Sequence, residues 1–310
     1  MSTTARDLFE NIIEFPDPHA KRRYDRLVGL EEVETRLSKE ARILLNPTLL
    51  DDWSTHQHGS RINLVNKFRE RSPMFIFYGD VGTGKTELAE TFGDAIAREE
   101  GIPVTLYRLS LAARGTGAVG EMTMLISTAF AQVTEAARKI AVKKRKPQGA
   151  VILVIDEADA LAQSRELAQM HHEDRAGVNA LIRGISGFAT ANLPAVIVMC
   201  TNRLASIDPA VRRRAGDTFQ FGRPNEIQRR EMLSCLLEAN ISESQIAELA
   251  KATGANGASS YGYTYSDIAQ RLLPEIVIDS FPDRPVSFER AVAIVKRLTP
   301  TPPFSDGGDL

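Results

Sequence analysis

The stretch GDVGTGKT, Gly79 to Thr86, holds the densest chemical signal in this sequence. Glycines at the spacing G-x-x-x-x-G-K-T let the backbone turn so that successive N–H groups point inward, and a following helix N-terminus adds partial positive charge. The product is a cradle for polyphosphate. It is built from Gly79, Val81, Gly82, Thr83 and Gly84 and continues through Lys85, Thr86 and Glu87. Lys85 is expected to reach the outer phosphates of ATP, and the Thr86 hydroxyl to ligate Mg2+. The second signal is VILVIDEAD, where an apolar run ends in Asp156 and Glu157. Two acids after so apolar a run are costly unless a cation or ligand employs them. Phosphoryl transfer needs one carboxylate on the magnesium shell and one group to orient and polarise the attacking water. Asp156 suits the first role and Glu157 the second, which implies hydrolysis as well as binding. A third apolar run, VIVMCTN, ends in Asn202, which read alone is either a turn residue or a neutral amide that reaches the γ-phosphate or the water, and takes its value from its place after the phosphate loop and the acidic pair. The fourth signal is Arg212, Arg213 and Arg214 in SIDPAVRRRAGDTF. Read alone, that triplet is either a solvated basic run or a set of cations directed at phosphate.

These residues need rigid carriers. MFIFYG (74–79), PVTLYRLS (103–110), VILVIDE (151–157), AVIVMCTN (195–202) and DTFQFG (217–222) are short, β-rich runs separated by longer helical stretches. The alternation predicts an α/β fold, a parallel sheet with helices on both faces and strands buried on both sides. After GRPNE the β-type runs stop, and EIQRREMLSCLLEA, ESQIAELAKAT, YSDIAQRLLPEIVIDSF and SFERAVAIVKRL have amphipathic helical spacing. The expected organisation is an N-terminal segment (1–23), a large domain (24–224), a small helical lid (225–298) and a flexible tail (299–310) whose TPTPPFSDGGDL composition need not fold.

Bulk properties exclude several classes. With 43% hydrophobic and 25% charged residues the chain is an ordinary globular protein, and a formal net charge of -2 gives no global attraction to nucleic acid or acidic membranes. No apolar run is long enough to cross a bilayer and MSTTARDLFENIIEF is not a secretory leader, so a cytoplasmic protein is expected. Cys200 and Cys235 lack metal-type spacing and are expected to be reduced thiols.

The order of phosphate loop, Asp-Glu strand end, Asn strand end, arginine cluster and helical domain resembles the AAA+ P-loop ATPases, from about residue 24 to about residue 298. RLVGLEEVETRL (26–37) is similar to the segment with which that module begins, which implies that Val28 and Gly29 line an adenine pocket. The resemblance further implies an oligomer, a hexamer, in which an arginine acts on the neighbouring subunit's nucleotide. Arg214 is the first choice for that finger and Arg213 the second, with Arg212 an interface or solvent contact. IDPAVRRRAGDTFQFGRP, IDEADAL and VNALIRGI resemble most closely the pachytene checkpoint ATPase family of HORMA-domain remodellers. The short segment before the module suits its bacterial members, linked to cyclic-oligonucleotide anti-phage signalling (CBASS). The client so implied is a HORMA protein that activates a nucleotide cyclase.

Two departures stand out. Asp80 and Val81 occupy positions where the family has two prolines, a change expected to matter little because these side chains point away from the phosphates. The pore loop RGTGAVGEMT carries Ala118 before Val119, Gly120 and Glu121 where related unfoldases have an aromatic, so the grip between Arg114 and Glu121 is expected to be weak. For the lid's second sensor the nearest candidate is Arg271, equally readable as a solvent-facing residue. The basic stretch ARKIAVKKRKPQ (137–148) reads as a solvated helix end. It is the sole support, through Lys143 to Lys146, for the alternative of a nucleic-acid motor or loader; Ala118 keeps open a second alternative, an ATP-dependent assembly switch without threading. His171 and His172 read as solvated loop, and Trp53, with His56 and His58 near it, as a packed or docking aromatic rather than part of a zinc site.

Overall fold

The apolar runs form a six-stranded sheet in the order β1-β3-β4-β5-β2-β6. Its strands are β1 (Phe9–Phe15), β2 (Met74–Gly79), β3 (Val104–Leu109), β4 (Ala150–Ile155), β5 (Ala195–Thr201) and β6 (Asp217–Phe221). The computed structural model describes residues 8–46, 48–110, 121–141, 147–160, 172–191, 193–237, 241–255 and 259–304. β3, β4, β5 and β2 pair in parallel, while β1 runs antiparallel to β3 at the sheet edge. β1 is the strand missing from the sequence reading. FENIIEF is buried only at its ends and lacks both the strict alternation of a half-buried strand and the continuous apolarity of a central one. Every residue of β4 and β5 is buried, as strands covered on two faces require.

Packing divides the chain into two units. The first comprises Met1–Arg26, Glu32–Tyr78 and Thr86–Gln220, the second Leu27–Glu31, Gly79–Lys85 and Phe221–Leu310. Two short segments, 27–31 and the phosphate loop at 79–85, thus pack with the C-terminal part of the chain.

In the first unit, helices α1 (Pro18–Tyr24), α2 (Glu31–Leu45), α3 (Thr48–His58), α4 (Asn63–Arg69), α5 (Lys85–Glu100), α6 (Glu121–Ile140), α7 (His172–Ala191) and α8 (Pro209–Arg212) accompany the sheet. The period of two sorts the side chains of β4. Val151, Leu153 and Ile155 join one core with Ile126, Phe130, Val133 and Leu181 of α6 and α7. On the other face Ile152 lies against Gly93 of α5, where an added Cβ would come within 2.8 Å of it. α6 and α7 pack closely enough that a Cβ at Gly184 would fall 2.5 Å from the Phe130 ring, which in turn meets Phe188 edge to face at 5.6 Å. Cys200 is buried and Cys235 exposed, both unpaired by disulfide. Trp53 is half exposed and stacks edge-on with His58. No helix among the described residues is long and apolar enough to cross a membrane.

The second unit is a small helical core of α9 (Glu226–Leu236), α10 (Glu243–Ala252), α11 (Tyr265–Asp267), α12 (Leu273–Ser280) and α13 (Phe288–Arg297), with a π-helical turn at Ile268–Leu272. Leu233, Leu249, Ile268, Leu272, Ile276 and Ala291 are at its centre. Reciprocal capping boxes, Asn225 with Gln228 and Ser242 with Gln245, fix where α9 and α10 start. Buried Asp267, 1% exposed, gathers this unit. Its carboxylate accepts from Thr264 N at 3.0 Å, Thr301 N at 3.0 Å, Thr301 Oγ1 at 2.6 Å and Arg271 Nη1 at 2.8 Å. Arg271 is thus committed within the lid, and Thr301, from the stretch read as a flexible tail, is bonded to it; residues 305–310 lie outside the described residues.

Burial alone would raise the Asp267 pKa, but its bonds to Thr264, Thr301 and Arg271 outweigh that and hold it below the usual carboxylate range. Its stabilisation is therefore complete at neutral pH and lost as pH falls through the folded-state value. Asp267→Asn should reduce unfolding free energy by about 2 kcal/mol at pH 7, read from urea titration. The difference from the unsubstituted protein should shrink below roughly pH 4.

Candidate functional site

In the second unit the phosphate loop has the backbone that its glycines predict. Gly82 and Gly84 adopt φ of 71° and 94°, in the left-handed region closed to most side chains, and Gly79 has φ of 141°. Lys85, almost wholly buried, donates to Gly79 O at 2.9 Å and Asp80 O at 2.6 Å, and Thr83 Oγ1 donates to Asp80 O at 2.7 Å. The ammonium is thus held at the loop by carbonyls and by no carboxylate among these bonds. Val81 is exposed at the loop's crest. The loop is also packed on the lid: Ser266 N donates to Gly82 O at 3.1 Å, and a Cβ on Gly82 would fall 2.8 Å from Thr264 Oγ1.

The proposed adenine side lies in the same unit. Val28 packs against the lid core. Gly29, with φ of 73°, donates from its N–H to Glu31 and accepts at its carbonyl from Gln228 Nε2 at 2.9 Å; a Cβ there would stand 2.5 Å from both the Gln228 amide and the Tyr265 hydroxyl. Burial, with Glu31 and Glu231 adding, pushes the Tyr265 phenol up to about 12, so it remains a neutral hydroxyl. Gln228 and Tyr265 went unnoticed in the sequence, where the first is one polar residue of a helix start and the second one of several aromatics.

In the first unit the carboxylate pair stands at the end of β4. Asp156 Oδ1 accepts from Glu157 N at 3.0 Å, and Glu157 has φ of 48°, the one positive value for a non-glycine among the described residues. A left-handed glutamate costs about 1 kcal/mol or more. Strain of this kind turns the side chain out of the strand's alternation, and it occurs here at the residue assigned to water activation. Glu157 O then accepts from Ala160 N at 2.8 Å, closing a 3-10 turn over Ala158–Ala160. From that turn Asp159 accepts a bond from Thr201 Oγ1 at 3.1 Å, and Thr201 Oγ1 accepts from Arg203 N at 3.0 Å. The ends of β4 and β5 are thereby tied together beside Asn202. Sequence reading missed both Thr201 and Asp159.

A second tie had no sequence signal at all. Arg108 of β3 donates to Asp156 Oδ2 at 3.1 Å, bonds to Glu90 of α5, and pairs through Nε with Glu10 of β1 at 3.0 Å. Glu90 also pairs with Arg23 at 2.7 Å, and Arg23 holds Glu87 through two bonds of 2.7 and 2.8 Å. The Glu87 carboxylate, grouped with the loop from sequence, is therefore turned to the N-terminal segment. Asp17 N donating to Asp94 at 2.6 Å anchors that segment to α5 again.

Asp208, buried, caps α8 by accepting from Ala210 N at 2.8 Å. Arg214 follows, half-buried, with Nε donating to Ser186 Oγ at 3.1 Å and Nη1 to Ala210 O at 2.8 Å. Arg213 is exposed, and the Nε of Arg212 is buried. The pore-loop residues Arg114, Ala118, Val119 and Gly120, the side chain of Glu121, His171, the side chain of His172 and Lys143 to Lys146 lie outside the described residues.

A strand feeding a glycine loop and helix, with an acidic pair ending another parallel strand, defines a P-loop nucleotide hydrolase. Residues 75–223 match the family described as ATPase family associated with various cellular activities (AAA). The chain is 51% identical over 301 residues to CD-NTase-associated protein 6 of Escherichia coli strain MS 115-1, covering 97% of each chain. It superposes with a TM-score of 0.92 and 49% identity on a chain of the E. coli MS115-1 HORMA:CdnC:Trip13 complex, covering 98% of this chain and 100% of that one. For a Rhizobiales Trip13 structure the values are 0.75 and 44%, covering 96% and 100%. The chain belongs to the CD-NTase-associated protein 6 family of Trip13-like AAA ATPases. The family resemblance drawn from its motifs is thereby confirmed.

The Arg108 geometry yields a stability test. Arg108→Ala removes one of the two arginines on Glu90, whose side chain is 9% exposed, and leaves Arg23 alone to offset it beside Glu10 and Asp156. It should lower unfolding free energy by about 2 kcal/mol, less than for a fully buried pair. Arg108→Lys should recover only part of that, since a compact ammonium lacks the planar fork that spans carboxylates on three separate elements. Urea denaturation of the three proteins decides the matter.

Proposed function

We propose that this protein is a magnesium-dependent ATPase that works as a homo-oligomer, a hexamer, in the cytoplasm. It uses hydrolysis to pull apart a HORMA-domain protein that activates a nucleotide cyclase in CBASS signalling, and so switches that signalling off. The observation that carries this reading is the near-complete match to a chain of the HORMA:CdnC:Trip13 complex.

The donor set fits magnesium. Among the described residues no cluster of three or more His, Cys, Asp or Glu side chains could hold a metal by itself. What the chain offers is one hydroxyl and one carboxylate, Thr86 and Asp156, hard oxygen ligands for an ion that keeps waters and shares the nucleotide's phosphates. Thr86 and Asp156 would hold the ion, which when bound would supply charge neutralisation for the phosphates. In this reading the N–H groups of the glycine loop and Lys85 bind and orient the triphosphate, and Val28 and Gly29 flank the base. Glu157 orients the attacking water and polarises its O–H, while Asn202 fixes the water or the γ-phosphate. Arg214, pre-oriented by Ser186 and Ala210, reaches from the neighbouring subunit to the charge developing on the γ-phosphate. The loop from Arg114 to Glu121, with Val119 in place of an aromatic grip, contacts the client.

Glu157→Gln should retain ATP while turnover collapses, measured by filter retention and phosphate release; near-normal turnover would remove Glu157 from its role. Added with ATP to a HORMA-activated cyclase, the unsubstituted protein should lower cyclic-oligonucleotide synthesis and Glu157→Gln should not. Equal effects of both would favour an assembly switch, and a salt-sensitive gel shift with DNA or RNA would favour a nucleic-acid motor.

For the finger, Arg214→Ala should bind ATP yet lose activity by a factor on the order of 10³. Lys85→Ala should fail to bind ATP. Mixing the two inactive proteins should restore part of the ATPase activity, because some intact arginines then face intact loops. Full activity of Arg214→Ala transfers the role to exposed Arg213, and full activity of both variants returns the triplet to solvent.

A further inference from the structure

Asp80, the residue expected to matter little, accepts three hydrogen bonds through its carboxylate. Its Oδ2 accepts from Arg223 Nε at 2.6 Å, and its Oδ1 accepts from Val81 N at 2.8 Å and from Phe304 N at 3.1 Å. Asp80 and Arg223 are well shielded, with side chains 16% and 14% exposed. Arg223 is fixed in turn by Gly262 O at 2.6 Å and by the Tyr261 ring, 5.0 Å below its guanidinium. The segment carrying Phe304 is pinned three residues earlier, where Thr301 bonds twice to Asp267. Meanwhile the backbone carbonyl of Asp80 is the one that Lys85 and Thr83 grip. One residue thus joins the phosphate-binding lysine, the start of the lid and the C-terminal segment, all within the second unit.

The charge at this position is unusual on physical grounds. A loop that binds a polyanion gains nothing from a carboxylate of its own unless a cation cancels it, and Arg223 is that cation. We propose that Asp80 is a positioning residue through which Arg223 and the C-terminal segment 299–304 hold the phosphate loop in its nucleotide-ready shape, so that nucleotide occupancy and docking of that segment stabilise each other. The inference rests on reading residues 79–86 as the nucleotide loop. By linkage the effect is reciprocal: losing the segment weakens nucleotide binding, and bound nucleotide tightens the segment.

Two cycles on the full-length protein test this, read as the dissociation rate of a fluorescent ADP analogue with magnesium present. Arg223→Gln leaves the Asp80 carboxylate uncancelled within the phosphate loop and should speed release about tenfold, within the usual range of coupling between sites. Asp80→Ala, which removes charge and tether together, should speed it only about threefold. The double variant should match Asp80→Ala and so be slower than Arg223→Gln alone. A stop codon in place of Thr299 should speed release about threefold in the natural background and not at all in Asp80→Ala. Additive effects in either cycle, or unchanged rates, overturn the proposal. Lys85→Ala is the separate control: if it binds the analogue as the unsubstituted protein does, the nucleotide reading fails instead. Should a variant not fold, hydrogen exchange on the unsubstituted protein still decides, since the Thr301 and Phe304 amides should exchange more slowly with ADP bound, and equal exchange refutes the coupling.

Discussion

One guanidinium holds together the carboxylates gathered at the end of β4. Glu10, Glu90 and Asp156 come from an edge strand, a helix and a central strand, and like charges brought together out of water repel strongly. Arg108 pairs electrostatically with all three, and hydrogen-bonds Glu90 and Asp156. An arginine suits the place because its planar fork presents five donors at once, whereas an ammonium offers a single centre. The arrangement also has a consequence for the N-terminal segment. Through Arg23 on Glu87 and Glu90, and Glu10 on Arg108, that segment belongs to the electrostatic surroundings of Asp156 as well as to the sheet edge.

Around Asp156 the backbone is over-determined, which is what a strained residue needs. Left to itself Glu157 would leave the left-handed region. It is held there by the Asp156 carboxylate on its N–H, by the 3-10 turn that uses its carbonyl, and by the Thr201–Asp159 bond that ties that turn to β5. Local strain is thereby offset by bonds that also place Asn202, the residue that follows β5, near the same end of the sheet. Every residue of β4 and β5 behind these ends is buried, so a shift by one residue would exchange the side chains packed on the two faces of the sheet.

The parts of this design legible in the sequence are those that depend on local pattern. Continuous apolar runs disclosed the central strands, the glycine spacing disclosed the loop, and amphipathic spacing disclosed the lid helices. What stayed hidden depends on pairing across long stretches of chain. β1 is an edge strand whose exposed Ile12 and flanking glutamates spoil its periodicity. Arg108 lies in a run that reads only as a strand, and its importance comes from Glu10, Glu90 and Asp156, none of them a sequence neighbour. Gln228 and Tyr265 gain meaning only beside Gly29, and Thr301 only beside Asp267. The split of the loop from the large domain was invisible for the same reason, since composition along the chain does not record which segments pack together.

Asp80 shows how a departure from a family pattern can keep the function and change its control. Proline stiffens a loop covalently, by fixing φ and reducing the freedom of the unfolded chain, and that stiffness is present whatever surrounds it. An aspartate has no such intrinsic rigidity. Its hold on the loop consists of bonds to Val81, Arg223 and Phe304, two of which come from outside the loop. Loop order therefore becomes conditional on the lid's first residues and on the C-terminal segment being in place. The same three bonds that stand where a proline ring would can be made or broken without touching the covalent chain, which is what the proposed coupling between the loop and the C-terminal segment requires.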